Sequence, residues 1–141
     1  MSTRKPVQAG DELPALVVGP VTPELFAAYA GASGDYNPLH TDPAFARAAG
    51  LDGVIAHGML VMGLLGRLVA RLSEPGGLRD FRVRFRAPTR PGETLRCGGR
   101  VTAAYEHEGQ PLVEGELWAR GDGDELKATG AFVARLLRPG P

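Results

Sequence analysis

The chain has 141 residues, of which 43% are apolar and 23% charged, and its sixteen basic side chains are balanced by sixteen acidic ones. That length suits one domain over residues 1–141, which hides roughly 68–70% of its unfolded surface on folding and needs no covalent staple. The charge balance gives no reason to expect a nucleic acid or a membrane surface as partner, and Cys97, the one cysteine, excludes an internal disulfide.

Along the chain, Met1 to Pro6 is polar and basic, without the apolar core of a signal peptide. The ordered core is expected over about residues 10–137, since Arg138-Pro139-Gly140-Pro141 cannot continue regular structure. Leu13 to Val18 is a short apolar run between prolines and reads as an edge strand. Thr22-Pro23-Glu24 is a helix start: a capping hydroxyl, a proline at the first helical position and an acid that complements the dipole. Leu25, Phe26, Tyr29 and Ala30 supply the apolar stripe, and the helix ends near Gly31 to Gly34. A second helix starts at Asp42-Pro43 and stops at Gly50, so Asp35 to Thr41 is a tight link between two helices.

Gly58 to Leu72 is the main helix. It is apolar almost all round, with Arg67 and Arg71 as its wet edge, so other structure should wrap it. Gly63 and Gly66 cost this helix roughly 1 kcal/mol each relative to Ala, and a close backbone neighbour would account for them. The apolar stretch from Met59 to Gly66 is shorter than the about 20 residues that a bilayer requires. No membrane span is expected, and the lone cysteine fits a reducing compartment, so the expected location is the cytoplasm.

After Ser73 to Gly77 the period changes from helical to two. Phe81, Val83 and Phe85 alternate with Arg82, Arg84 and Arg86 in a half-buried strand. Pro88 to Gly92 is a turn. A strand from Leu95 to Ala103 follows, with a bulge expected at Gly98-Gly99. Glu106 to Pro111 turns the chain, and Leu112 to Arg120 and Leu126 to Leu137 are two further strands. The plan is an α+β domain with one apolar helix against an antiparallel sheet. The strand order is not fixed by these patterns.

Residues 33 to 46 are the most informative stretch: Ser33-Gly34-Asp35-Tyr36-Asn37-Pro38-Leu39-His40-Thr41-Asp42-Pro43-Ala44-Phe45-Ala46. They put a carboxylate and an imidazole on one short connection shaped by Gly34 and Pro38, and such a pair can hold and deprotonate one water molecule. Asn37 can both donate and accept, held out of helical geometry by Pro38, though an ordinary Asn-Pro turn explains it nearly as well. Asp35, His40 and His57 match a two-histidine, one-carboxylate metal set in type only. They are far apart in sequence and show no ligand spacing, so no metal is expected. His107 falls in a predicted hairpin turn and should be solvated. Arg82, Arg84 and Arg86 could meet phosphates or an acidic partner, or simply form a solvated strand face.

The Tyr29 and Ser33-to-His40 pattern, with Ala46 closing, resembles the signature of the MaoC-like (R)-specific enoyl-thioester hydratases and (3R)-hydroxyacyl-thioester dehydratases. Ala56-His57-Gly58-Met59-Leu60 resembles their approach to the central helix. Phe85-Arg86-Ala87-Pro88-Thr89-Arg90-Pro91-Gly92-Glu93-Thr94-Leu95 resembles the strand-turn-strand that follows. The similarity runs from about Gly10 to Val133, with Ala32 departing from the pattern at a packing position. Within the family, the chain looks most like the small catalytic subunit of the mycobacterial (3R)-hydroxyacyl-carrier-protein dehydratases.

The resemblance implies a single hotdog domain, a curled antiparallel sheet wrapped around the helix at Gly58 to Leu72. It implies reversible syn hydration of trans-2-enoyl thioesters, with Asp35 and His40 as the catalytic pair and Ser33, Asn37, His57 and Gly58 as substrate-binding residues, His57 either shaping the loop or contacting ligand. The backbone N–H of Gly58, at the helix N-terminus, would face the thioester oxygen as negative charge develops there. No redox or metal cofactor is implied, since coenzyme A or phosphopantetheine belongs to the substrate. The implied partner is a second hotdog chain, as homodimer or heterodimer, with an acyl carrier protein as a further partner. The alternatives are a hotdog thioesterase, or a catalytic subunit active only beside a partner chain.

Overall fold

A computed structural model of the chain describes residues 5–138. The expectations for Met1 to Arg4 and Pro139 to Pro141 lie outside these residues. The elements, in chain order, are β1 (Leu16–Val18), α1 (Pro23–Ser33), a 3-10 turn (Pro38–His40), α2 (Pro43–Ala48), α3 (Gly58–Ala70), β2 (Ser73–Phe85), β3 (Leu95–His107), β4 (Gln110–Arg120), a second 3-10 turn (Asp122–Asp124) and β5 (Leu126–Leu136).

Local signals fix the helix starts. The Thr22 hydroxyl accepts from the Leu25 N–H, and Pro23 opens α1. Asp42 accepts from the N–H groups of Ala44 and Phe45 and caps α2 in the same way. Gly34 closes α1 in the left-handed region, at φ 77°, with its N–H on Ala30 O.

In the described residues, five strands form one antiparallel sheet in the order β1-β3-β4-β5-β2. The sheet curls around α3. Val61, Leu64, Leu65, Leu68 and Val69 of the helix share one buried cluster with Cys97, Val101, Val113, Leu117 and Phe132 of the strands. Fully burying one such Leu or Phe contributes about 1.5–3 kcal/mol.

Four expectations need correction. The sheet covers only one side of α3: Met59 is 56% exposed, and a Cβ on Gly63 would meet no atom within 4 Å. No backbone approaches Gly66 either, and the contact there is the Phe81 ring, 3.5 Å from a Cβ built on Gly66. The register break in β3 falls between Val101 and Ala103, not at Gly98-Gly99. A Cβ on Gly98 would stand 2.7 Å from Trp118 Nε1, so this glycine makes room for the indole. Finally, β2 begins directly after the helix at Ser73, with irregular pairing to β5 as far as Asp80.

The β3–β4 turn is shorter than expected. Glu108 and Gly109, with φ of 51° and 74°, reverse the chain in two residues, so both strands extend into the predicted loop.

Candidate active site

Between α1 and α2 the chain is tied by its own side chains. The Asp35 N–H donates to Ser33 Oγ at 3.2 Å, the Asn37 N–H to Asp35 Oδ1 at 3.1 Å and the Leu39 N–H to Asn37 Oδ1 at 3.1 Å. Each side chain grips the amide two residues on, a local turn chemistry available to Ser, Asp and Asn. Pro38 then opens the 3-10 turn that delivers His40 to the interior. Ser33 and the oxygen of Asn37 thus brace the loop. The sequence expectation gave both residues to the substrate.

His40 Nδ1 lies 2.7 Å from Ile55 O. A carbonyl only accepts, so Nδ1 carries a proton, and in the neutral ring Nε2 then keeps the lone pair. That lone pair faces Asp35 Oδ2 across 3.8 Å. The gap is too long for a direct hydrogen bond, and a single oxygen atom to one side of the line between the two groups could bond to both. Asp35 has a side chain 51% exposed, so solvent reaches the pair from its side.

His57 is 1% exposed and lies beneath the pair. Its ring stacks on His40 with centroids 3.7 Å apart and planes 24° apart, and Tyr29 packs edge-on at 4.9 Å. His57 Nε2 sits 3.0 Å from the backbone carbonyl of Asp35 and donates to it. Of the two expectations for His57, shaping the loop or contacting ligand, its burial favours the first.

Sequence separation was a poor argument against a metal, because the fold brings ligand atoms of Asp35, His40 and His57 within 4.8 Å of one another. The ring stack is a better one. Nitrogen lone pairs lie in the ring planes, and in two rings with centroids 3.7 Å apart and planes inclined by only 24° they do not converge on one point at the about 2.0–2.1 Å of a metal–nitrogen bond. The arrangement suits proton transfer.

Gly58 is the first residue of α3, so its N–H has no acceptor in a preceding turn of the helix. The tip of the Phe85 ring rests against it. A cavity of about 380 Å³ opens here, lined by Ile55, Gly58, Val61, Phe85, Pro88 and Thr89. A second cavity, of about 360 Å³, lies further along α3 beside Gly66, Val69 and Phe81. Neither is lined by Asp35 or His40.

The sequence reading missed Lys127. Its side chain is fully buried, and its ammonium donates to Pro88 O at 2.9 Å and to the carboxylates of Glu93 and Glu125. Burial alone would raise the Glu93 carboxyl, but the Arg90 N–H and the Lys127 ammonium hold it below the usual carboxylate range. The same turn reaches the site, since the Ala56 N–H donates to Thr89 O at 2.8 Å. A lone lysine between Leu126 and Ala128, in a strand that is otherwise mostly apolar, was the available signal. Among the three arginines of β2, Arg82 is paired with Asp80 at 2.8 Å, and Arg86 borders the cavity at Gly58. His107 ends β3 with its side chain 66% exposed.

The sequence profile described as "MaoC like domain" matches residues 4–117 of this chain. The chain belongs to the MaoC-like family. The (R)-specific enoyl-CoA hydratase of Aeromonas caviae is 33% identical over 112 residues, covering 78% of this chain and 82% of that protein. Among solved structures, the (R)-hydratase from A. caviae involved in PHA biosynthesis superposes with a TM-score of 0.82 at 29% identity, covering 95% of this MaoC-like chain and 100% of that one. The C-terminally truncated HadBC (3R-hydroxyacyl-ACP dehydratase) complex from Mycobacterium tuberculosis has a TM-score of 0.73 at 19% identity, over 94% and 99% of the two chains, a likeness of fold. The fold is the expected hotdog. This MaoC-like chain spans only 9%, 5% and 9% of three long curated relatives that it also matches.

Proposed function

We propose that this chain reversibly adds water to trans-2-enoyl thioesters, giving (3R)-hydroxyacyl thioesters. The observation that supports this best is the 3.8 Å gap between the bare Nε2 of His40 and Asp35 Oδ2, held beside the N-terminus of α3. One water bonded to both groups is oriented and ready to lose a proton. Its oxygen forms the bond to C3 while the proton passes to the Asp35–His40 pair. Electrons of the C2–C3 double bond move toward the thioester oxygen, where the Gly58 N–H and the α3 dipole stabilise the charge. The pair then delivers a proton to C2 on the same face, so the addition is syn. The two groups are treated as one unit, because protons on a coupled pair belong to both.

The substrate carries its own handle, coenzyme A or phosphopantetheine, and this scheme uses no metal or redox cofactor. Asn37 supports the pair through the loop, and its amide N–H₂ is the part left for a ligand. Ser33 acts by holding the Asp35 amide. A partner hotdog chain, identical or different, covers the open face of α3 at Met59 and Gly63 and the outer edge of β2, whose one strand neighbour among the described residues is β5. An acyl carrier protein is the second partner in this reading. No helix of the described residues is long and apolar enough to cross a membrane, and the setting proposed is the cytoplasm.

The test is a set of trans-2-enoyl-CoAs, from butenoyl to dodecenoyl, incubated with the purified chain. Loss of conjugated-enoyl absorbance with a (3R)-hydroxyacyl-CoA product is the expected result. Release of free thiol instead would indicate a thioesterase, and an unchanged substrate across the set would overturn the reading.

A further inference from the structure

His57 is the residue whose environment the reaction scheme leaves unexplained. It is buried, it carries a polar ring, and its Nδ1 has no hydrogen-bond partner among the described residues. At the N-cap of α3 it makes no side-chain capping bond, although Ser, Asp or Asn would cap that helix better. An apolar residue would avoid the orphaned nitrogen and a capping residue would strengthen the helix. Stability alone therefore does not account for an imidazole here, and buried unpaired polar atoms point to another demand on the position.

Two stacked rings cross-link the same two segments in opposite directions. His40, from the loop, donates through Nδ1 to the backbone of Ile55 at 2.7 Å. His57, from the segment leading into α3, donates through Nε2 to the backbone of Asp35 at 3.0 Å. The Ile55 N–H, donating to Leu39 O at 3.2 Å, lies between them. The stack of 3.7 Å and the Tyr29 edge contact leave the His57 ring little room to turn. With Nε2 committed to a carbonyl, neutral His57 must carry its proton there and leave Nδ1 bare.

We infer that His57 is a positioning residue: as the neutral Nε2–H tautomer it pins the Asp35 backbone and so sets the spacing between Asp35 and His40. This inference rests on the hydration reading above. It deepens that reading by assigning a role to a group that touches neither water nor substrate. The pinned carbonyl belongs to the same residue as the carboxylate, so holding it limits where that carboxylate can swing, and displacements of about 1 Å at such a site can cost about 100-fold in rate.

Two substitutions separate this role from simple filling of space. His57→Gln places an amide N–H where Nε2 was. His57→Asn reaches only as far as Nδ1 and gains a capping oxygen for α3. The expected result is that His57→Asn melts no lower than the unmodified chain yet loses about 10- to 100-fold in kcat, with KM within about twofold. His57→Gln should recover most of that kcat. Equal kcat in the two variants, or a loss confined to KM, would overturn the assignment. A third measurement needs neither variant nor activity: the imidazole ¹⁵N spectrum of the unmodified chain should show a proton on Nε2 of His57. A bare Nε2, with the proton on Nδ1, would also overturn it. Absent hydratase activity with the expected ¹⁵N spectrum would count against the proposed reaction while leaving the hydrogen bond intact, so the two failures are distinct.

Discussion

The tip of the Phe85 ring lies so close to Gly58 that a Cβ on Gly58 would come within 3.1 Å of Cζ and 3.2 Å of both Cε atoms. The first residue of α3 and the last of β2 therefore share one space. Gly58→Ala is expected to lower kcat/KM by about 10-fold or more, the cost of displacing a donor or the ring that flanks it. Phe85 is half exposed and can be trimmed without opening the core. In a Phe85→Leu background the same Gly58→Ala change should cost much less, a coupling of about 0.5–3 kcal/mol for residues in contact. Equal damage in both backgrounds would show that the ring is not the obstacle.

Asp35→Asn keeps the Oδ1 acceptor that holds the Asn37 N–H, and His40→Asn keeps a donor near Ile55 O, so both should fold. Each is expected to lose about 10²–10⁴-fold in kcat. The double variant should be little worse than either single one, as for groups that act as a unit. Single-turnover kinetics with butenoyl-CoA checks this, and strictly multiplicative losses would argue for independent roles.

Glu93 gives the fold an acid-sensitive point. Its carboxyl is held below the usual range in the folded chain, because the Arg90 N–H and Lys127 outweigh burial. The unfolded chain therefore binds more protons than the folded one as the pH falls. The stabilisation is complete above the ordinary carboxylate range and drains away as pH drops through it toward the lower folded value. Urea midpoints measured against pH should fall along this limb, and Glu93→Gln should flatten it. At neutral pH that variant should also lose about 3 kcal/mol or more, since a buried ammonium loses one of its two carboxylates.

Cys97 should be chemically silent. Burial against α3 pushes its thiol up to about 11, with Arg67 offsetting a little of that. An aromatic disulfide reagent at pH 8 should leave the folded chain unmodified for hours and react at once in denaturant. Rapid labelling of the folded chain would mean that β3 opens readily.

The helix starts were legible because their signals are local. Thr22-Pro23 and Asp42-Pro43 act within one turn of themselves. The central helix and the strands were legible from period alone. What could not be read involves residues far apart in sequence. His57 was left open between loop and ligand because nothing in its neighbours reveals a ring packed under His40. Gly98 was read as a bulge, but its cause is Trp118 on the adjacent strand. Gly63 was read as a close-approach site, yet it faces open space, on the side of α3 that the sheet leaves bare.

Lys127 stands on β5, the last strand of the chain, yet its ammonium holds Pro88 O, and the neighbouring Thr89 O holds the Ala56 amide beside His57. The strand that completes the sheet thus reaches back to a loop whose own residues were all made long before it during synthesis. A nascent chain that has emerged only as far as Glu125 already contains Asp35, His40, His57 and Gly58 but lacks the brace beneath them. The loop that carries Asp35 and His40 would then gain its last brace late, when β5 docks.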